Sequence, residues 1–95
     1  MYKVYILHFD KPYWKRQIHY AGYSKDISRR IKEHRNGNGS MLVDYALRHG
    51  CDFVVGYTHD YDTKQEAMRA EWRLKKECHH ERHCTICKAK LPLRS

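Results

Sequence analysis

The segment Tyr20-Ala21-Gly22-Tyr23-Ser24-Lys25-Asp26-Ile27-Ser28-Arg29-Arg30-Ile31-Lys32-Glu33-His34 runs from a strand-like alternation through a glycine straight into a basic helix, so the rest of the chain must be built around it. Tyr20 closes the alternating part, and Gly22 is expected to permit a bend that a Cβ would hinder. Ser24 or Asp26 can cap the helix that follows. Ile27, Ile31 and His34 then recur at i, i+4 and i+7, while Arg29, Lys32 and Glu33 face water. A strand that hands over to a helix in this way gathers an aromatic hydroxyl, backbone N–H groups and cations at one rim. Such a rim suits phosphate.

The flanking sequence supplies partners for that unit. Tyr2 to His8 alternates, with Tyr2, Val4 and Ile6 on one face and Lys3, Tyr5 and Leu7 on the other, and reads as strand one. Phe9 to Gln17, with Asp10 and Pro12, is a hairpin loop longer than a two-residue turn, and strand two covers Ile18 to Tyr23. Tyr5 and Tyr20 then stand on neighbouring strands, where side chains on one face approach to about 5 Å. The first helix, from Asp26 to Arg35, stops at Asn36-Gly37-Asn38-Gly39. Ser40 can cap a second helix carrying Leu42, Val43, Ala46 and Leu47, which ends at His49-Gly50. Cys51 to Tyr57 is the third strand and is expected at the centre of an antiparallel sheet. Thr63, with Glu66 three residues on, is a capping box that opens a third helix running to about Lys76. On that helix Ala67, Ala70, Glu71 and Leu74 share a stripe, so a carboxylate sits on a face that otherwise packs. A buried carboxylate costs several kcal/mol unless it is paired or binds a metal.

Ninety-five residues make one small α/β (α+β) domain: a three-stranded antiparallel sheet flanked by helices, in the order ββααβα. Residues 1–77 form the body and 78–95 a basic, Cys/His-rich tail. Against 11 acidic residues there are 19 lysines and arginines, a formal charge of +8, so a polyanion is the expected partner and nucleic acid comes first. No run of about 18 apolar residues argues for a membrane span. Met1 to Tyr5 enters a strand pattern at once, without the features of a signal peptide, which leads to an expected cytoplasmic location. Four cysteines in a reducing compartment read as free thiols or metal ligands rather than disulfides.

Lys3-Val4-Tyr5, then Tyr20-Ala21-Gly22, Arg30 eight residues after that glycine, His34 four later, and Glu71 on the third helix together resemble the GIY-YIG endonuclease domain, over roughly residues 2 to 76. Lys3 stands for the first glycine of the name-giving triplets and Ala21 for the isoleucine. The resemblance implies a metal-dependent nuclease acting on DNA, with structure or weak context preference and no small-molecule cofactor. Glu71 would hold Mg²⁺ or Mn²⁺, the alternative being an ion pair with Lys75. Tyr5 would be the general base, with Tyr20 and Arg30 on the water or phosphate. His34 would assist, the alternative being a core-edge histidine. Gly22, Ser24, Lys25 and Arg29 would touch the nucleic-acid backbone. Many family members carry an asparagine after the glutamate helix, and this chain has none beyond Lys76. Lys3 and the missing asparagine favour the rival reading, a nucleic-acid-binding module on the same scaffold without turnover. A domain of this size works as a monomer or weak dimer, or within a larger assembly.

The tail reads Cys78-His79-His80-Glu81-Arg82-His83-Cys84-Thr85-Ile86-Cys87. Cys84 and Cys87 have the C-x-x-C spacing of a zinc knuckle, and Cys78, His79, His80, His83 or the distant Cys51 are candidates to complete a tetrahedron. The other reading is a cysteine-bearing basic tail that contacts DNA.

Overall fold

A computed structural model describes residues 1–12, 17–77 and 84–90. The elements are β1 (Tyr2–Phe9), β2 (His19–Ser24), α1 (Ile27–Arg35), α2 (Met41–Arg48), β3 (Phe53–Tyr61), α3 (Lys64–Glu77) and α4 (Thr85–Lys90). This is the expected mixed α/β domain, with α4 added in the tail.

The sheet is antiparallel in the order β2-β1-β3, so β1 and not β3 is central. The reason lies in which strand can be buried on both faces. Every residue from Val4 to Phe9 is buried, whereas Val54 and Val55 of β3 are exposed and the strand continues into Thr58, His59 and Asp60. A strand sandwiched on both sides must bury both of its alternating faces, which β1 does from Val4 to Phe9 and β3 does not.

Alternation along β1 divides the core. Tyr5, Leu7 and Phe9 pack with Val43, Ala46, Cys51 and Phe53, under α1 and α2. Val4 and Ile6 pack with Ala21, Ala67 and Leu74, under α3. The helices stop where their glycines predict: Gly37 and Gly50 both take φ of +80°, a region that side chains with a Cβ avoid. Asp26, rather than Ser24, is the cap of α1, its carboxylate accepting from the Arg29 N–H at 3.2 Å. At the other end Arg35 donates to Asp52 and to the Phe53 carbonyl, each at 3.0 Å, and lies over the Phe53 ring, which ties α1 to β3. The α3 capping box forms as expected, with the Glu66 N–H donating to Thr63 Oγ1 at 3.2 Å. Among the described residues no helix is long and apolar enough to cross a membrane.

Candidate active site

The register of the hairpin decides what Tyr5 can do. Tyr5 lies directly opposite Gly22 on β2, and Leu7 lies opposite Tyr20. A Cβ on Gly22 would come within 2.5 Å of the Tyr5 hydroxyl oxygen, so the missing side chain is the space through which the phenol lies across β2. Gly22 therefore sits within a strand rather than at a bend, and its backbone φ is not positive. What the position requires is close approach, not conformational freedom.

The phenol ends on a histidine. Tyr5 Oη and His34 Nε2 are 2.8 Å apart, both residues are almost fully buried, and His34 meets Tyr5, Tyr20 and Phe53 edge-on. The backbone of Gly39 closes over the other side of the imidazole, where a Cβ would come within 2.5 Å of Nδ1. Among the described residues Nδ1 is buried without a hydrogen-bond partner. With the proton on Nδ1, the Tyr5 hydroxyl donates to Nε2; with it on Nε2, the direction reverses. Burial, then the nearby Arg30 cation, lowers the His34 pKa, so the imidazole is held neutral. Burial raises the Tyr5 pKa, reinforced by Tyr20 and by the Glu71 and Glu33 carboxylates, while Arg30 opposes them. The resting pair is thus a neutral phenol on a neutral imidazole.

Tyr5 and His34 lie at the wall of an open cleft of about 1270 Å³, also lined by Tyr20, Gly22, Ser24, Lys25, Arg29, Arg30 and Glu71. All nine residues expected at the catalytic or nucleic-acid-contacting positions are therefore brought to one concavity. Arg30 is half-buried, and among the described residues no carboxylate lies within 4.0 Å of it. Arg29 points outward and, among the described residues, reaches only Glu33, at 3.9 Å. The Ser24 hydroxyl accepts from the Asp26 N–H at 3.1 Å, so it shapes the entry to α1. Glu71 lies on the flank of α3, its side chain 18% exposed, paired with Lys75 at 2.9 Å. The Lys75 ammonium also stands 5.8 Å from the Tyr20 ring centroid. The ion pair weighed for Glu71 at the sequence level is thus present, inside the cleft.

A second group lies outside this cleft. His8, His19, Cys84 and Cys87 bring four ligand atoms within 4.8 Å of one another and could hold a metal ion. His8 and His19, which sequence reasoning did not connect with the tail, are cross-strand partners in the hairpin. Cys51 is not among these residues: it packs under α2 on the opposite side of the sheet, its thiol 3.7 Å from the Pro12 carbonyl oxygen. Cys78 and His83 lie outside the described residues.

A three-stranded sheet with a tyrosine on its central strand, a second tyrosine and a glycine on the partner, an arginine and histidine on the next helix, and a glutamate on the last long helix is the arrangement of a known nuclease class. The family model described as the GIY-YIG catalytic domain matches residues 1–83, and the chain belongs to the GIY-YIG family. It is similar to the UPF0213 protein of Halobacterium salinarum, 37% identical over 57 residues that cover 60% of this chain and 69% of the relative. It is also similar to UPF0213 protein YazA of Bacillus subtilis, 35% identical over 60% of this chain and 54% of that protein. The UPF0213 protein of Halalkalibacterium halodurans is 38% identical over 72 residues, covering 76% of this chain and 67% of its own. These relatives belong to the same family, whose nuclease character points to a nucleic-acid substrate. No solved structure matches the chain significantly.

Proposed function

We propose that the chain is a metal-dependent endonuclease that hydrolyses phosphodiester bonds in DNA, guided by substrate structure or weak sequence context. The observation that carries this reading is the convergence in one cleft of a carboxylate, a buried tyrosine–histidine pair and an arginine with no carboxylate partner among the described residues. Glu71 fits Mg²⁺ or Mn²⁺, because a hard cation of this kind is commonly held by one or two carboxylates, with waters and substrate phosphate as its other ligands. Lys75 balances the Glu71 charge from a flexible stem that can turn aside to a phosphate. Such an ion, when bound, supplies charge stabilisation at the phosphate oxygens.

The rest falls to the chain. Tyr5 does not need to begin as a phenolate, a state that burial disfavours. As water attacks phosphorus, Tyr5 Oη accepts its proton while passing its own hydrogen to His34 Nε2, so that the phenol is neutral both before and after the step. The water oxygen bonds to phosphorus as the P–O bond to the leaving oxygen breaks, and the departing alkoxide takes a proton from solvent while His34 later returns its own to solvent. Nε2 can accept when His34 is neutral and carries its proton on Nδ1. Arg30 offers its fork to the phosphate oxygens as they gain charge, and Tyr20 orients the phosphate or the water. Ser24, Lys25 and Arg29, at the rim, hold the backbone on either side.

Glu71→Gln tests the assignment, since it removes the charge at nearly constant shape. Cleavage of plasmid and branched DNA in Mg²⁺ should vanish, the melting temperature should stay close to wild type, and DNA binding should persist or tighten. Tyr5→Phe should keep binding and lose turnover by roughly 10²- to 10⁴-fold, the range for a general base. Wild-type cleavage by Glu71→Gln refutes the metal role. A wild type that binds DNA and cuts nothing in Mg²⁺ or Mn²⁺ makes the chain a binding module.

A further inference from the structure

The four ligand atoms outside the cleft have distances that hydrogen bonding accounts for poorly. His8 Nδ1 is 3.3 Å from His19 Nε2, 3.5 Å from Cys84 Sγ and 3.5 Å from Cys87 Sγ, and Cys87 Sγ is 3.2 Å from His19 Nε2. An imidazole nitrogen carries one hydrogen or one lone pair, so it cannot form good hydrogen bonds to three neighbours at once. A shared cation can bind all of them. Bonds of about 2.0–2.1 Å to nitrogen and about 2.3 Å to sulfur at tetrahedral angles put nitrogen pairs about 3.3 Å apart, nitrogen–sulfur pairs about 3.5 Å apart and sulfur pairs about 3.8 Å apart. These four separations lie close to those edges, and the other two, His19 Nε2 to Cys84 Sγ and Cys84 Sγ to Cys87 Sγ, are within 4.8 Å.

We propose that His8, His19, Cys84 and Cys87 form a structural zinc site that fastens the C-terminal tail to the β1–β2 hairpin. Two soft thiolates and two imidazoles at tetrahedral spacing select zinc over hard cations, and four protein ligands leave no position open for substrate or water. On binding, Zn²⁺ takes the place of two thiol protons, which pass to solvent, so two thiolates and one dication sum to zero charge in a largely buried place. The surroundings are shaped for this. Gly56 lies at the irregularity in register between β1 and β3, where a Cβ would come within 2.5 Å of Cys84 Sγ. Thr85 Oγ1 donates to the Gly56 carbonyl at 2.8 Å and seats the start of α4 against β3. His8 and Cys84 are 76 residues apart, and a clip across so long a loop removes much freedom from the unfolded chain.

The site is separate from the reaction. His8 follows Val4 and Ile6 on the α3 side of the sheet, whereas Tyr5 and Tyr20 pack on the α1–α2 side, and none of the four ligands lines the cleft. The zinc would lock the pairing of His8 with His19, and through it the register that sets Tyr5 against Gly22. This inference does not depend on the nuclease reading.

The test is native mass spectrometry of protein purified without added metal, with release by a thiol-reactive mercurial followed by a chromogenic chelator. Wild type should carry one zinc per chain, and Co²⁺ in its place should give the intense visible bands and the thiolate charge transfer of a tetrahedral sulfur–nitrogen site. His19→Gln and Cys87→Ser, chosen because both positions are half-buried, should lose most of the zinc while far-UV circular dichroism shows a folded chain. Stripping the zinc from wild type should lower its melting temperature by at least about 5 °C and restoring it should reverse the loss. Cys51→Ser and Cys78→Ser should keep the full zinc content. Folded wild type without zinc overturns the proposal, as does a zinc that survives in His19→Gln and is lost in Cys78→Ser, which would place the site within the tail.

Discussion

In the proposed reaction His34 takes the proton, and its environment fixes the direction in which pH acts. Burial and then Arg30 depress its folded-state pKa, so the native protein resists protonating it. The stability held in the neutral ring is complete above the unfolded value of about 6.5 and is lost as pH falls from there to the folded value. Acceptance of a proton through Tyr5 also requires the neutral ring, so the acid limb of the single-turnover cleavage profile should lie below the ordinary histidine range. Arg30→Gln should slow cleavage and move that limb upward, because one of the two influences that lower the pKa has gone. A wild-type limb well above pH 6.5 would count against the relay. At this scale the sequence exposed the residue types and the spacing of Arg30 and His34, but not the hydrogen bond between Tyr5 and His34. That bond joins positions 29 apart in the chain and depends on where α1 lands.

At the scale of elements, the hairpin is the device that builds the cleft. β2 can lie against β1 with Tyr5 reaching over it only because position 22 has no side chain. Gly22→Ala should therefore push the Tyr5 ring off its bond to His34 or open the hairpin. A cost of about 1–3 kcal/mol is expected, the usual size of an overpacking penalty, with a fall in cleavage at least as large as that of Tyr5→Phe. Thermal melting and single-turnover rates of the two variants, measured together, check this; an unchanged Gly22→Ala enzyme would contradict it. The sequence identified both strands and the importance of the glycine, but gave it the wrong reason. A bend and a close approach place the same demand on composition, and only the strand register distinguishes them. The same limit applied to β3, whose Phe53-Val54-Val55 run reads as a central strand until the two-sided burial of β1 is seen.

For the whole molecule, the +8 charge predicts how the proposed DNA substrate is held. In the cleft, Lys3, Arg29 and Lys75 are matched by Asp60, Glu33 and Glu71, while Lys25, Arg30 and Lys64 have no carboxylate within 4.0 Å among the described residues. If about five phosphates are contacted in total, log K should fall with log salt at a slope of about −4.5. Lys25→Ala should weaken binding alike on every sequence and flatten the slope by about 1. A titration series by fluorescence anisotropy reads both, and affinity indifferent to salt would rule out a phosphate-led interface.

Periodicity, caps and charge are local or additive properties, and for that reason the sequence alone determined six of the seven elements, their order and the α/β class, missing only α4, and led to the expectation of a polyanionic partner. The tyrosines, arginine, histidine and glutamate that line the candidate cleft were legible too, because their order along the chain is itself a family signature. The tertiary structure alone decided which strand is central, that Glu71 rests against Lys75, and that the Cys84–Cys87 pair meets His8 and His19. A C-x-x-C pair announces itself because both ligands lie on one short segment. Its partners come from two strands joined by a loop of undetermined register, and no spacing along the chain encodes which side chains a folded hairpin sets side by side.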